Sequence, residues 1–269
     1  MKLIISATII AGILCAQAVQ ANARNGEVAT SEGMTSSVGE ELVPFLKRVS
    51  DNNANFSKQT GNDVCATVEF KDGRYTVNYF ENGKNLFCNS TKDHTTTVHN
   101  SNGKVSIGVR EFISARGETL DAFVLRIAPE VQSFTSASGW ETCGVVAEGA
   151  NGYGVRMVSS RGAMTCEMLK DNVPMGMKSL PLTLHTHPSE RNVKPTNADA
   201  SYYANNPNVS GRMIKVGRME RVGGAVFSSP DYALPGYLIA EGKVLHQSGK
   251  GSERLVGNVQ TQMNGLAQQ

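Results

Sequence analysis

The segment Leu182-Thr183-Leu184-His185-Thr186-His187-Pro188 constrains the fold most. It is a short apolar run ending in two histidines spaced two apart. Residues two apart on a strand point to the same face, so as a strand it presents two imidazoles side by side. Pro188 lacks a backbone donor and ends the ladder there. Two parallel imidazoles at the mouth of a turn are the start of a zinc site, and the chain spends two of its five histidines on them.

The first residues bear on the compartment. Met1-Lys2 gives a short positive start, Leu3 to Ala18 is a nearly continuous apolar run, and Ala21-Asn22-Ala23 is a small-x-small cleavage site. This pattern predicts a Sec-type signal peptide over residues 1–23 and a periplasmic or secreted mature chain beginning at Arg24. Cys15 follows Leu14, where a lipobox needs a small residue. No other stretch reaches the length of a membrane-spanning helix. Four cysteines remain after cleavage: Cys65, Cys88, Cys143 and Cys166. In an oxidising compartment an even count predicts disulfides, with three pairings possible. The local one, Cys65–Cys88 and Cys143–Cys166, closes two hairpin-sized loops. A formal net charge of +2 is too small to argue for a nucleic-acid or membrane partner.

Residues 24 to about 37 read as a flexible N-terminus. Leu42, Phe45, Leu46 and Val49 then fall on one helical face, with Pro44 in the first turn, and the asparagines at 52, 53 and 55 are expected to end this helix. Alternation through Val64, Ala66, Val68 and Phe70, a turn at Lys71-Asp72-Gly73, and renewed alternation at Tyr75, Val77 and Tyr79 predict a β-meander. Residues 24–117 thus read as a small α+β domain without a chemical motif. A second unit, 118–248, opens on the amphipathic spacing of Leu120, Phe123, Val124 and Ile127, which Pro129 is expected to end or kink. A polar linker at 135–139 leads to Trp140-Glu141-Thr142-Cys143-Gly144-Val145-Val146. The histidine strand follows, then a short helix near Ala198–Ala204 and strands around residues 236–240 and 243–246. Residues 249–269 read as a loose polar tail.

A zinc hydrolase site needs three protein ligands, an open position for water, and a base. The elements above resemble the JAMM (JAB/MPN+) metallopeptidase family, as a bacterial, exported member would. That family's pattern is a Glu on an early strand, then His-Ser/Thr-His, then Ser/Thr-x-x-Asp. His185-Thr186-His187-Pro188 matches the centre and Glu141-Thr142-Cys143-Gly144 the strand start, over roughly residues 118–247. The resemblance implies a JAB/MPN-like, cytidine-deaminase-like α/β domain with a mixed sheet behind the α+β domain. It implies zinc on His185, His187 and an aspartate, and Glu141 as base, with Glu148 a weaker candidate. Two segments fit the last motif. Thr196-Asn197-Ala198-Asp199 follows His187 after eight residues and is favoured by spacing. Ser228-Ser229-Pro230-Asp231 remains open but needs an excursion far beyond ordinary loops. Thr196 or Ser228 would then help stabilise the oxyanion. Tyr202-Tyr203 reads as packing on a helix.

The expected activity is metal-assisted hydrolysis of an amide or isopeptide bond in a protein or peptide, with peptidoglycan peptides equally open as substrates. A JAB-like binding module without catalysis, or a secreted toxin- or effector-associated protein, is the competing expectation.

Overall fold

The computed structural model describes residues 33–60, 63–83, 96–101, 104–189, 192–206, 214–222 and 224–259. The expected signal peptide, Cys88 and the last ten residues lie outside these. In chain order the elements are α1 (Leu42–Thr60), β1 (Asp63–Lys71), β2 (Arg74–Gly83), β3 (Thr96–Ser101) and β4 (Lys104–Ile113). They continue with α2 (Leu120–Ser138), β5 (Cys143–Gly149), β6 (Gly152–Ser159), β7 (Lys178–Thr186), β8 (Asn192–Val193) and α3 (Asn197–Asn205). The chain closes with β9 (Glu220–Arg221), a 3-10 turn (Ser229–Ala233), β10 (Gly236–Ala240), β11 (Lys243–Gln247) and β12 (Arg254–Asn258).

Helix α1 buries Phe45, Leu46 and Val49 completely, as its spacing requires. It does not stop at the asparagines but runs on to Thr60, with Asn53 buried. Asparagine costs a helix only about half a kcal/mol per residue relative to alanine, which packing readily overrides. The meander forms as expected. Its first turn places Asp72 and Gly73 at positive φ, 52° and 75°, matching the primed geometry of a two-residue hairpin. Of the expected flexible N-terminus, Ser36 is held to β2: its N–H donates to the Tyr75 carbonyl and its Oγ accepts from the Tyr75 N–H, both at 2.8 Å.

Helix α2 is capped by Thr119, whose Oγ1 accepts from Ala122 N, and closed by Gly139, whose N–H donates to the Thr135 carbonyl. Pro129 neither ends nor divides it. The proline removes one backbone donor, but Phe123, Val124, Ile127, Ala128 and Val131 pack into the core on both sides of it. The expected linker at 135–139 is therefore the last helical turn and its cap, and Thr135 and Ser138 are buried.

One sheet of ten strands joins the two expected units, in the order β12-β11-β10-β7-β5-β6-β4-β3-β1-β2. The junction is the antiparallel pair β4–β6. Two apolar clusters flank it, but neither respects a boundary at residue 117. Trp140 packs with Phe45, Leu46 and Ile107, while Phe112 of β4 packs with the α2 cluster. The expected loose tail also supplies a strand: β12 pairs with β11, and Arg254 forms an ion pair with Asp121 at 2.9 Å. Among the described strands only β7 and β10 run parallel. Parallel neighbours need a long crossover, and residues 187–235 provide it.

Candidate metal centre

Strand β7 enters the site between β5 and β10. The Thr186 N–H donates to the Thr142 carbonyl (2.9 Å), and the His187 N–H donates to the Ile239 carbonyl (3.2 Å). Behind the histidines, on the opposite face of the strand, three buried hydroxyls interlock. Thr186 Oγ1 lies 2.6 Å from Thr135 Oγ1 and 3.0 Å from Thr142 Oγ1, and accepts from the Thr142 N–H at 2.9 Å. This cluster fastens α2 and the lead into β5 to the histidine strand.

His185 and His187 lie on one face, as the spacing predicts, with ring centroids 5.1 Å apart. Both are buried. Nδ1 of His187 sits 2.7 Å from the Gly224 carbonyl, which leaves Nε2 to face the cleft. Neither ring nitrogen of His185 has a hydrogen-bond partner although both are buried. Asp231 completes a group whose ligand atoms all lie within 4.8 Å of one another, a group that could hold a metal ion. Its Oδ1 is 3.5 Å from Nε2 of His185, while Oδ2 accepts from Ser228 N (2.6 Å) and Ser228 Oγ (2.8 Å).

Spacing favours Asp199, and here the structure corrects it. Asp199 has no exposed surface. Its Oδ2 accepts from Ala163 N (3.0 Å), Thr196 N (2.7 Å) and Thr196 Oγ1 (3.0 Å); its Oδ1 accepts from Met164 N (2.9 Å) and Thr165 Oγ1 (2.9 Å). Both oxygens are used up in capping α3 and holding the 163–165 loop. The excursion that counted against Asp231 is the crossover that the parallel β10 demands, and it carries β8, α3 and β9 rather than a structureless loop.

Glu141 stands just before β5. Its backbone is pinned on both sides, its N–H donating to the Gly162 carbonyl and its carbonyl accepting from Ser159 Oγ, each at 2.7 Å. Its Oε1 lies 3.8 Å from Nε2 of His187. Three residues on, a Cβ at Gly144 would come within 2.7 Å of the Arg156 carbonyl oxygen, so β5 and β6 can approach closely only with glycine there. Glu148, the weaker candidate, is exposed on β5. The disulfide Cys143–Cys166, expected from the local pairing, fastens the loop after β6 beside Glu141. Cys65 is also disulfide-bonded.

The cleft has a volume of about 400 Å³ and is lined by Glu141, His185, His187 and Asp231 together with Tyr202, Tyr203, Met164 and Met168. Thr196 is not part of its lining, whereas Ser228 is. The tyrosine pair, expected as packing, therefore faces the site; Tyr202 and Tyr203 sit on α3, inside the crossover that no short-range pattern could fold. Burial sets the electrostatics. It raises Glu141 well above the ordinary carboxylate range, with Asp231 and then Asp199 adding repulsion. Burial, then the neighbouring His185, lowers His187 to about 4. Burial works against ionisation of Asp231 too, yet His185 and Ser228 hold it down to about 2. At neutral pH the arrangement therefore offers a neutral imidazole at His187 and an ionised carboxylate at Asp231, the forms that bind a metal.

Comparison with protein-family models, with curated proteins and with solved structures gives no match for this chain.

Proposed function

We propose that the chain is an exported, zinc-dependent peptidase or isopeptidase of the JAMM type. The observation that carries this reading is a buried glutamate, Glu141, beside a two-histidine, one-aspartate group in one cleft. Two imidazole nitrogens and one carboxylate oxygen are the donor set of catalytic zinc sites that keep one position open. The partnerless nitrogens of buried His185 fit a ligand role, and the Gly224 carbonyl fixes the His187 ring as outer-shell partners of metal ligands do. The disulfide suits export to an oxidising compartment. Among the described residues no helix is long and apolar enough to cross a membrane.

His185, His187 and Asp231 would hold the ion. Bound zinc supplies Lewis-acid chemistry that lowers the pKa of water towards neutrality. Glu141 takes the proton of the attacking water and returns it to the leaving nitrogen. Its raised affinity for a proton suits both halves of that transfer. Tyr202, Tyr203 and the two methionines line the cleft that would receive the acyl part of a peptide.

The test is elemental analysis of protein purified without chelator, followed by peptide and cross-linked-peptide hydrolysis with Glu141→Gln as the inactive control. One zinc per chain and Glu141-dependent cleavage are expected. A wild-type chain that takes up no metal after incubation with zinc sinks the proposal.

A further inference from the structure

The reaction proposed above, on which this inference rests, needs a hydrogen-bond donor where negative charge develops on the scissile carbonyl oxygen. The two hydroxyls that the sequence offers are both committed. Thr196 Oγ1 donates to Asp199 Oδ2 at 3.0 Å, and Ser228 Oγ donates to Asp231 Oδ2 at 2.8 Å. A hydroxyl carries one proton, so each has none left to give without releasing its aspartate.

Tyr202 lines the cleft with the metal-binding group and Glu141. Its backbone carbonyl accepts from Asn206, and its ring meets that of Tyr203 edge-on at 5.8 Å. Its phenol oxygen has no hydrogen-bond partner among the described residues. The residue is half-buried and close enough to Glu167, Asp231 and Glu141 that these carboxylates, after burial, hold the proton on the phenol more tightly. Its position is fixed by Asp199. Residues three apart share a helix face, and Asp199, clamped by five hydrogen bonds, anchors the first turn of α3, one turn before Tyr202.

We infer that Tyr202 is the oxyanion donor of this site, that Ser228 is a positioning residue for Asp231, and that the Thr196–Asp199 cap exists to place Tyr202. As water adds to the amide carbon, the C=O π pair moves onto oxygen. The Tyr202 O–H donates a hydrogen bond to that oxygen and keeps its proton. The water's proton passes to Glu141 and then to nitrogen as the C–N bond breaks.

The experiment loads the full chain with cobalt(II) and titrates it with inorganic phosphate, a tetrahedral oxyanion, following the visible absorption of the metal. Wild type binds phosphate. Tyr202→Phe is expected to show the same starting spectrum but phosphate binding weaker by roughly ten- to hundredfold, the loss of a hydrogen bond to a charged group. Ser228→Ala is expected to alter the starting spectrum itself. Once a cleaved peptide is in hand, Tyr202→Phe lowers kcat more than it raises KM. Equal phosphate affinity in Tyr202→Phe and wild type overturns the inference and leaves the metal centre standing. Cobalt uptake without phosphate binding in wild type does the same. Failure of wild type to take up cobalt instead overturns the function on which the inference rests.

Discussion

Oδ1 of Asp231 lies 3.5 Å from Nε2 of His185 while Oδ2 of the same carboxylate is held by Ser228, so one oxygen is anchored and the other is left for a metal. Asp199 closes the same type of cap on Thr196, yet both of its oxygens are taken by protein donors. Substituting the two should therefore fail in different ways. Asp231→Ala is expected to lose stoichiometric metal with little change in the unfolding midpoint of the metal-free chain. Asp199→Ala strands several buried donors and is expected to cost on the order of 3 kcal/mol. Metal content and urea unfolding of the metal-free proteins distinguish them.

Glu141 faces His187 without belonging to the metal-binding group, whose members are His185, His187 and Asp231. Glu141→Gln should keep its metal and lose about a hundred- to ten-thousandfold in kcat, the range for removing a general base. Loss of metal in this variant would move Glu141 from base to ligand. Elemental analysis beside single-turnover rates reads both.

Asp121 ties the start of α2 to the far edge of the sheet, accepting from Arg254 and from the buried Tyr237 hydroxyl. Its hydrogen bond from Arg254 holds the carboxyl below its ordinary value against the cost of burial. The folded state therefore binds this proton less readily than the unfolded chain. The associated stability is present above the usual carboxylate range and lost as pH falls below it, through the depressed value of the folded state. Asp121→Asn should flatten this acid limb while costing at most about 1 kcal/mol at neutral pH, as exposed ion pairs do. Thermal unfolding followed from neutral pH down to about pH 2 measures it.

The Cys143–Cys166 disulfide closes a sequence separation of 23 residues around the β5–β6 hairpin. Replacing both cysteines by alanine is expected to cost about 3 kcal/mol by loop-closure entropy. The same change should also lower kcat while leaving metal content intact, because the freed loop contributes the Gly162 carbonyl that fixes Glu141. Single-turnover rates and elemental analysis, set beside denaturant unfolding, separate the two effects.

Much of the site was legible because its parts are local. The face shared by His185 and His187 follows from strand period alone, and the apolar spacing of α2 survives Pro129. The third member of the candidate metal group was not legible in the same way. Two copies of a Ser/Thr-x-x-Asp cap look alike in sequence, and only the parallel register of β10 on β7 brings the later one back to the histidines. Thr135, read as linker, is the hydroxyl that backs the histidine strand; nothing in its immediate neighbours separates a buried threonine at a helix end from an exposed one. The long α1 and the strand in the polar tail have the same origin, since partners distant in sequence override weak local preference.

The β4–β6 pair has a practical consequence for anyone trimming this protein. A chain cut to start at residue 118 would retain every residue of the candidate metal centre, yet Gly152–Ser159 would become a bare lateral strand with its amides and carbonyls facing outward. Such an edge invites pairing with another copy, so the shortened protein is expected to self-associate through β6 rather than behave as an independent module.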